Sequence, residues 1–124
     1  MSQVLAIAIG GAVGALSRFW VSNGVYNLMG RDFPYGTLMV NVVGSLLMGL
    51  LYVWLIERTA LGPEWRALIL VGFLGSFTTF STFSMETLTL VENHAYMKAM
   101  LNILLSVLLC IAGTGLGMVL ARKI

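Results

Sequence analysis

Gly75-Ser76-Phe77-Thr78-Thr79-Phe80-Ser81-Thr82-Phe83-Ser84 lies inside an apolar segment long enough to cross a bilayer, yet six of its ten residues carry hydroxyls. A glycine opens the stretch, and phenylalanines recur at every third position. Hydroxyl donors, ring edges and a helix break are what a membrane protein needs to coordinate a small ion without a charged side chain. The segment around it runs from about Glu64 to Asn93, and roughly 30 residues at ~1.5 Å each overshoot a ~30 Å hydrocarbon core. Gly72, Gly75 and the β-branched pair Thr78-Thr79 are weak helix formers clustered near its middle. They predict a break there, leaving two half-helices with freed backbone groups. Inside a membrane such backbone survives where it lines a cavity or holds an ion.

Composition carries the reading to the whole chain. Of 124 residues, 59% are hydrophobic and 10% charged, against about a quarter charged in soluble domains. A mean hydropathy of +0.95 agrees, and the chain reads as an all-α integral membrane protein with room for four spans and no soluble domain. The expected spans are Val4–Met29, Thr37–Ile56, Glu64–Asn93 and Tyr96–Leu120. A net charge of +2 is too small and too scattered to point to nucleic acid. The start of the chain has no basic region of the kind that precedes a cleaved signal, so residues 1–124 are read as mature. No metal-ligand cluster, nucleophile triad or phosphate loop is present, and no enzymatic activity is expected. Cys110 reads as a buried, inert thiol and His94 as a loop residue.

Each span carries its own signal. The first has Gly10-xxx-Gly14 and Gly11-xxx-Ala15, small residues at helical spacing that permit close packing. It also has Arg18, either snorkelling near a helix end or ordering a vestibule. The second carries Asn41 well inside the apolar region, with Ser45 and Gly49 on the same face. Asn41 is either interhelical glue or part of a polar path. In the fourth, Asn102, Ser106 and Cys110 form a stripe at four-residue spacing, and Gly113-xxx-Gly117 offers a packing face. Four spans leave Arg58, Arg66, Arg122 and Lys123 on the side of the termini and Arg31 and Lys98 opposite. So weak a bias allows insertion both ways and antiparallel pairing.

On the second half of the third span, Phe80 and Phe83 share a helix face, Ser81, Thr82 and Ser84 fill neighbouring faces, and Glu86 lies about one turn beyond. Phenyl edges are positive, and Ser, Thr and Asn side chains donate hydrogen bonds. Together they make a neutral anion path, favourable to enter and weak enough to leave. The alternative is ordinary packing, with the hydroxyls bonded back to their own helix.

The chain closely resembles the Fluc (CrcB-type) fluoride channels of bacteria. The resemblance rests on Gly10-Gly11-xx-Gly14-Ala15-xx-Arg18, on Gly36-Thr37-Leu38-xx-Asn41-xx-Gly44-Ser45, and above all on Gly75 to Ser84 with Glu86. It implies an antiparallel, dual-topology homodimer in the bacterial inner membrane, with two pores that let fluoride leave the cytoplasm. By that resemblance Phe80 and Phe83 are the pore rings, Asn41 the pore asparagine, and Ser81, Thr82, Glu86 and Ser106 further pore residues. Gly75 and Thr78 would hold a structural Na⁺ through backbone carbonyls, and Arg18 matches an arginine near one helix end. Asn102 and Cys110 depart from the pattern, standing where tyrosine and a second serine are common. The main rival is a small dual-topology multidrug/proton antiporter, which needs a membrane-embedded carboxylate, typically in the first helix; here that helix holds Arg18 and no acid. A purely structural membrane subunit would leave the hydroxyl-rich break unexplained.

Overall fold

The computed structural model describes residues 2–59 and 61–124, which are helical nearly throughout. The helices are α1 (Gln3–Met29), α2 (Tyr35–Arg58), α3 (residues 63–77), α4 (Phe80–Glu92) and α5 (Tyr96–Lys123). They form four stretches long and apolar enough to cross a membrane, α3 and α4 being the two parts of the third, Pro63–Glu92. Helix ends follow local chemistry. The Ser2 hydroxyl accepts the Leu5 N–H at 3.1 Å, and Gly30 closes α1 at φ 86°, a conformation open to glycine. Pro63 occupies the first turn of α3, where its missing N–H costs nothing.

The boundaries expected from the sequence shift slightly, mostly outward, although the third span ends at Glu92 and not Asn93. α2 begins at Tyr35 because Pro34 directly precedes it, and α5 continues through Arg122 and Lys123. At the other end of α2, Val53–Arg58 widens to i→i+5 turns, as does Ala67–Leu74 in α3. The Gly75 N–H, for example, reaches the Leu70 carbonyl.

Small residues set the packing. An added Cβ on Gly10 or Gly14 would collide with the carbonyls of Leu68 or Phe73, and Gly72 meets the Ile7 carbonyl from the other side. α1 and α3 therefore lie backbone to backbone. Gly49 against Thr114 and Gly117 against Leu46 do the same for α2 and α5, where the Thr114 hydroxyl also donates to the Ser45 carbonyl at 3.1 Å. Both predicted small-residue faces are thus contact faces. At the C-terminal ends of α2 and α5, Arg122 pairs with Glu57 at 3.0 Å and Arg58 donates to the Arg122 carbonyl at 2.7 Å.

Much of the apolar surface remains exposed on the single chain. In the four spans only 11–28% of the residues in the most apolar window are buried, as suits a chain whose remaining faces meet lipid. Cys110 departs from expectation: it is half-buried rather than enclosed, beside Ser45, Ile111, Thr114 and Gly115 in a shallow groove.

Candidate functional site

Thr78 and Thr79 interrupt the third span with extended backbone, at φ/ψ −88°/159° and −152°/118°. The break sits within the cluster of weak helix formers. Its two ends have opposite polarity. On the α3 side, the Thr78 N–H and hydroxyl both turn back to the Leu74 carbonyl, at 3.1 and 3.0 Å. Among the described residues no donor is paired with the carbonyls of Gly75 or Thr78. On the α4 side, the Thr79 hydroxyl caps the new helix by accepting the Thr82 N–H at 3.2 Å. An α-helix start carries partial positive charge from its unpaired amides.

Asn41 spans the gap. Its amide nitrogen donates to the Thr79 carbonyl at 2.9 Å, and its oxygen accepts the Thr79 N–H at 2.7 Å. Of the two readings of this residue, the interhelical bridge is what these bonds form, and it lies at the break itself. Gly44, one turn further along α2, leaves room for the Thr78 methyl group. Arg18 lies mid-way along α1 but pairs near the C-terminal end of α3. Its Nε donates to the Ser76 carbonyl at 3.1 Å, which sets the guanidinium beside the break, because Ser76 lies at mid-span.

Just past the break, the Phe80 and Phe83 rings lie 5.3 Å apart, tilted by 46°. They differ sharply in exposure: Phe83 is 8% exposed and Phe80 77%. Ser81 is exposed, and Thr82 is half-buried with its hydroxyl 3.0 Å from that of Thr79. Asn41, Gly75, Thr78, Phe80, Ser81, Thr82 and Phe83 thus gather around one joint, with Arg18 behind it.

Glu86 and Ser106 are drawn elsewhere. The Glu86 carboxyl accepts from the Tyr26 hydroxyl at 2.5 Å and also from Thr37. This ties α4 to the end of α1 and the start of α2. The cluster borders a cavity of about 400 Å³ whose walls include Arg31, Asp32, Asn93 and Lys98. Arg31 lies over the Tyr26 ring, 4.6 Å from its centre. Ser106 is buried, and its hydroxyl donates to Asn102 at 3.4 Å. Tyr26, Thr37, Thr79 and Thr87 were missed from the sequence. Of these, Thr37 and Thr79 stood within quoted motifs, Thr79 there only as a weak helix former.

The family described as CrcB-like protein, Camphor Resistance (CrcB), matches residues 5–118. The chain belongs to the CrcB family. A relative from Methylococcus capsulatus is 62% identical over 122 residues, covering 98% of this chain but 54% of its own length. The chain therefore spans about half of that protein. A relative from Coxiella burnetii is 52% identical over 123 residues, covering 98% of this chain and 99% of its own. One from Geobacter sulfurreducens is 48% identical over the full length of both. All three bear the name fluoride-specific ion channel FluC. CrcB membership and the four apolar helical stretches make this a multi-pass membrane protein.

Proposed function

We propose that this chain forms a fluoride-selective channel, a passive pore and not an enzyme, assembled as an antiparallel homodimer in the inner membrane. The observation that carries the reading is the joint at Thr78–Thr79, with freed carbonyls on one side and a helix start with phenyl rings on the other. Fluoride is small and strongly hydrated, so a path for it must offer many short hydrogen bonds without the trap of a buried cation. The edges of Phe80 and Phe83, the amide of Asn41 and the hydroxyls of Ser81 and Thr82 meet that need. Glu86 and Ser106, whose polar atoms are engaged within the chain, bound the path. Arg18 steadies the joint from behind through Ser76. The exposed Phe80 ring is the surface that a second copy would cover.

The carbonyls of Gly75 and Thr78 fit a structural Na⁺, a hard cation that takes oxygen ligands. Unwound carbonyls and half-helix C-terminal ends are the usual source of such ligands in membranes. Two carbonyls from each of two copies would complete the set and hold the dimer at its centre. In the cell, HF enters neutral and dissociates at cytoplasmic pH, and the channel lets F⁻ leave down its gradient.

The test is efflux from liposomes loaded with both halides. Wild-type protein is expected to release F⁻ rapidly while Cl⁻ stays behind, and Phe80→Ile or Phe83→Ile to slow release by about tenfold or more with assembly intact. Cl⁻ release of similar size refutes the fluoride reading, and unchanged flux in both variants removes the ring-edge role.

A further inference from the structure

α4 carries both phenyl rings of the proposed path, yet apolar packing does little to fix it. Phe80, Ser81, Ser84, Met85 and Leu88 are all exposed on the single chain. Directional polar contacts hold the helix instead: Asn41 at its start, Glu86 in its middle, and a third contact at Thr87.

That third contact has a consistent arrangement of protons. The Thr87 hydroxyl owns one hydrogen, donated to the Phe83 carbonyl at 2.7 Å. Toward Asn102, whose Nδ2 is 2.8 Å away, it therefore accepts. The amide is thereby oriented, nitrogen to Thr87 and oxygen to the Ser106 hydroxyl at 3.4 Å. Asn102 is 1% exposed, among the most enclosed large side chains of the protein. A leucine would fill the same space, and interhelical polar contacts in membranes add little strength over apolar ones. What the amide adds is direction.

We infer that Asn102 is a positioning residue: through Thr87 it fixes the rotation and height of α4 on α5, and so the place of the Phe83 ring. The chain from Asn102 through Thr87 ends on the carbonyl of Phe83 itself, and that ring is the buried member of the pair. The geometric part stands on the hydrogen bonds; the consequence for ion flow rests on the channel reading.

The test compares wild type with Asn102→Leu, Thr87→Val, their double variant and Thr87→Ser, using fluoride efflux from liposomes and hydrogen exchange at the α4 amides. Asn102→Leu and Thr87→Val are each expected to lower efflux about tenfold or more, the scale set by orphaning a buried partner, and to raise exchange at residues 83–88. Because both break one contact, the double variant is expected to be no worse than either single. Thr87→Ser keeps the hydroxyl and is expected to retain efflux within about twofold. Losses that multiply in the double variant overturn the inference, as does Asn102→Leu with unchanged efflux or unchanged exchange. If wild type passes no fluoride, the channel reading falls, and exchange alone decides the positioning role. If Asn102→Leu does not assemble, the contrast between Thr87→Val and Thr87→Ser decides it: loss confined to the valine variant supports the inference, and equal behaviour overturns it.

Discussion

Replacing Asn41 with leucine strips both partners from the Thr79 backbone at once. The native amide donates to the Thr79 carbonyl at 2.9 Å and accepts its N–H at 2.7 Å. Leucine keeps a similar volume on α2 but offers neither group. A buried backbone group left without a partner costs about 1–3 kcal/mol. Two such groups bound the loss at about 2–6 kcal/mol, and partial exposure of the site narrows it to about 2–4 kcal/mol. Ser45→Ala, one turn along the same helix, is the control. Its hydroxyl forms no hydrogen bond among the described residues, so its expected change is within about 0.5 kcal/mol. Reversible unfolding in mixed micelles, followed by fluorescence of the three tryptophans, measures both. A loss below about 1 kcal/mol for Asn41→Leu, hence close to that of Ser45→Ala, would refute the bridging role.

The glycine contacts make a second prediction: Gly14→Val drives its side chain into the Phe73 carbonyl and is expected to cost about 1–3 kcal/mol. Gly24→Ala, which meets nothing within 4 Å, is expected to keep stability or raise it by up to about 1 kcal/mol in the same assay. Third, Tyr26→Phe keeps the ring against Gly36 and under Arg31 but removes the hydroxyl bonded to Glu86 at 2.5 Å. It is expected to cost about 1–3 kcal/mol, and equality with wild type in thermal unfolding would show that Glu86 is held without it.

The four spans could be read from the sequence because hydropathy and helix length are local properties. The break was readable for the same reason, since Gly75, Thr78 and Thr79 weaken the helix wherever it packs. The partners of those residues were not. That Asn41 would face Thr79, or Arg18 the Ser76 carbonyl, depends on how α1 and α2 lie across the third span. No periodicity within one segment encodes that. Glu86 shows the limit most clearly: spacing put it one turn beyond the rings, but its carboxyl turns toward Tyr26, 60 residues earlier in the chain. The polar stripe of α5 was visible as a four-residue repeat, and the structure divides it, enclosing Asn102 and Ser106 while leaving Cys110 half-open.

The interruption at Thr78–Thr79 also makes the third span a jointed rod. Its first part is seated on α1 by backbone contacts at Gly10, Gly14 and Gly72, and its second is tied to α2 and α5 through Asn41, Thr37 and Asn102. Helices answer a thicker or thinner bilayer by tilting. A continuous helix passes that tilt from end to end, whereas a jointed one takes it up at the hinge. Here the hinge is the same short backbone that exposes the carbonyls of Gly75 and Thr78 and receives the Asn41 amide. Bilayer thickness is thereby expected to act on the groups that would meet the ions, and acyl-chain length becomes a quantity to hold fixed whenever two variants of this protein are compared.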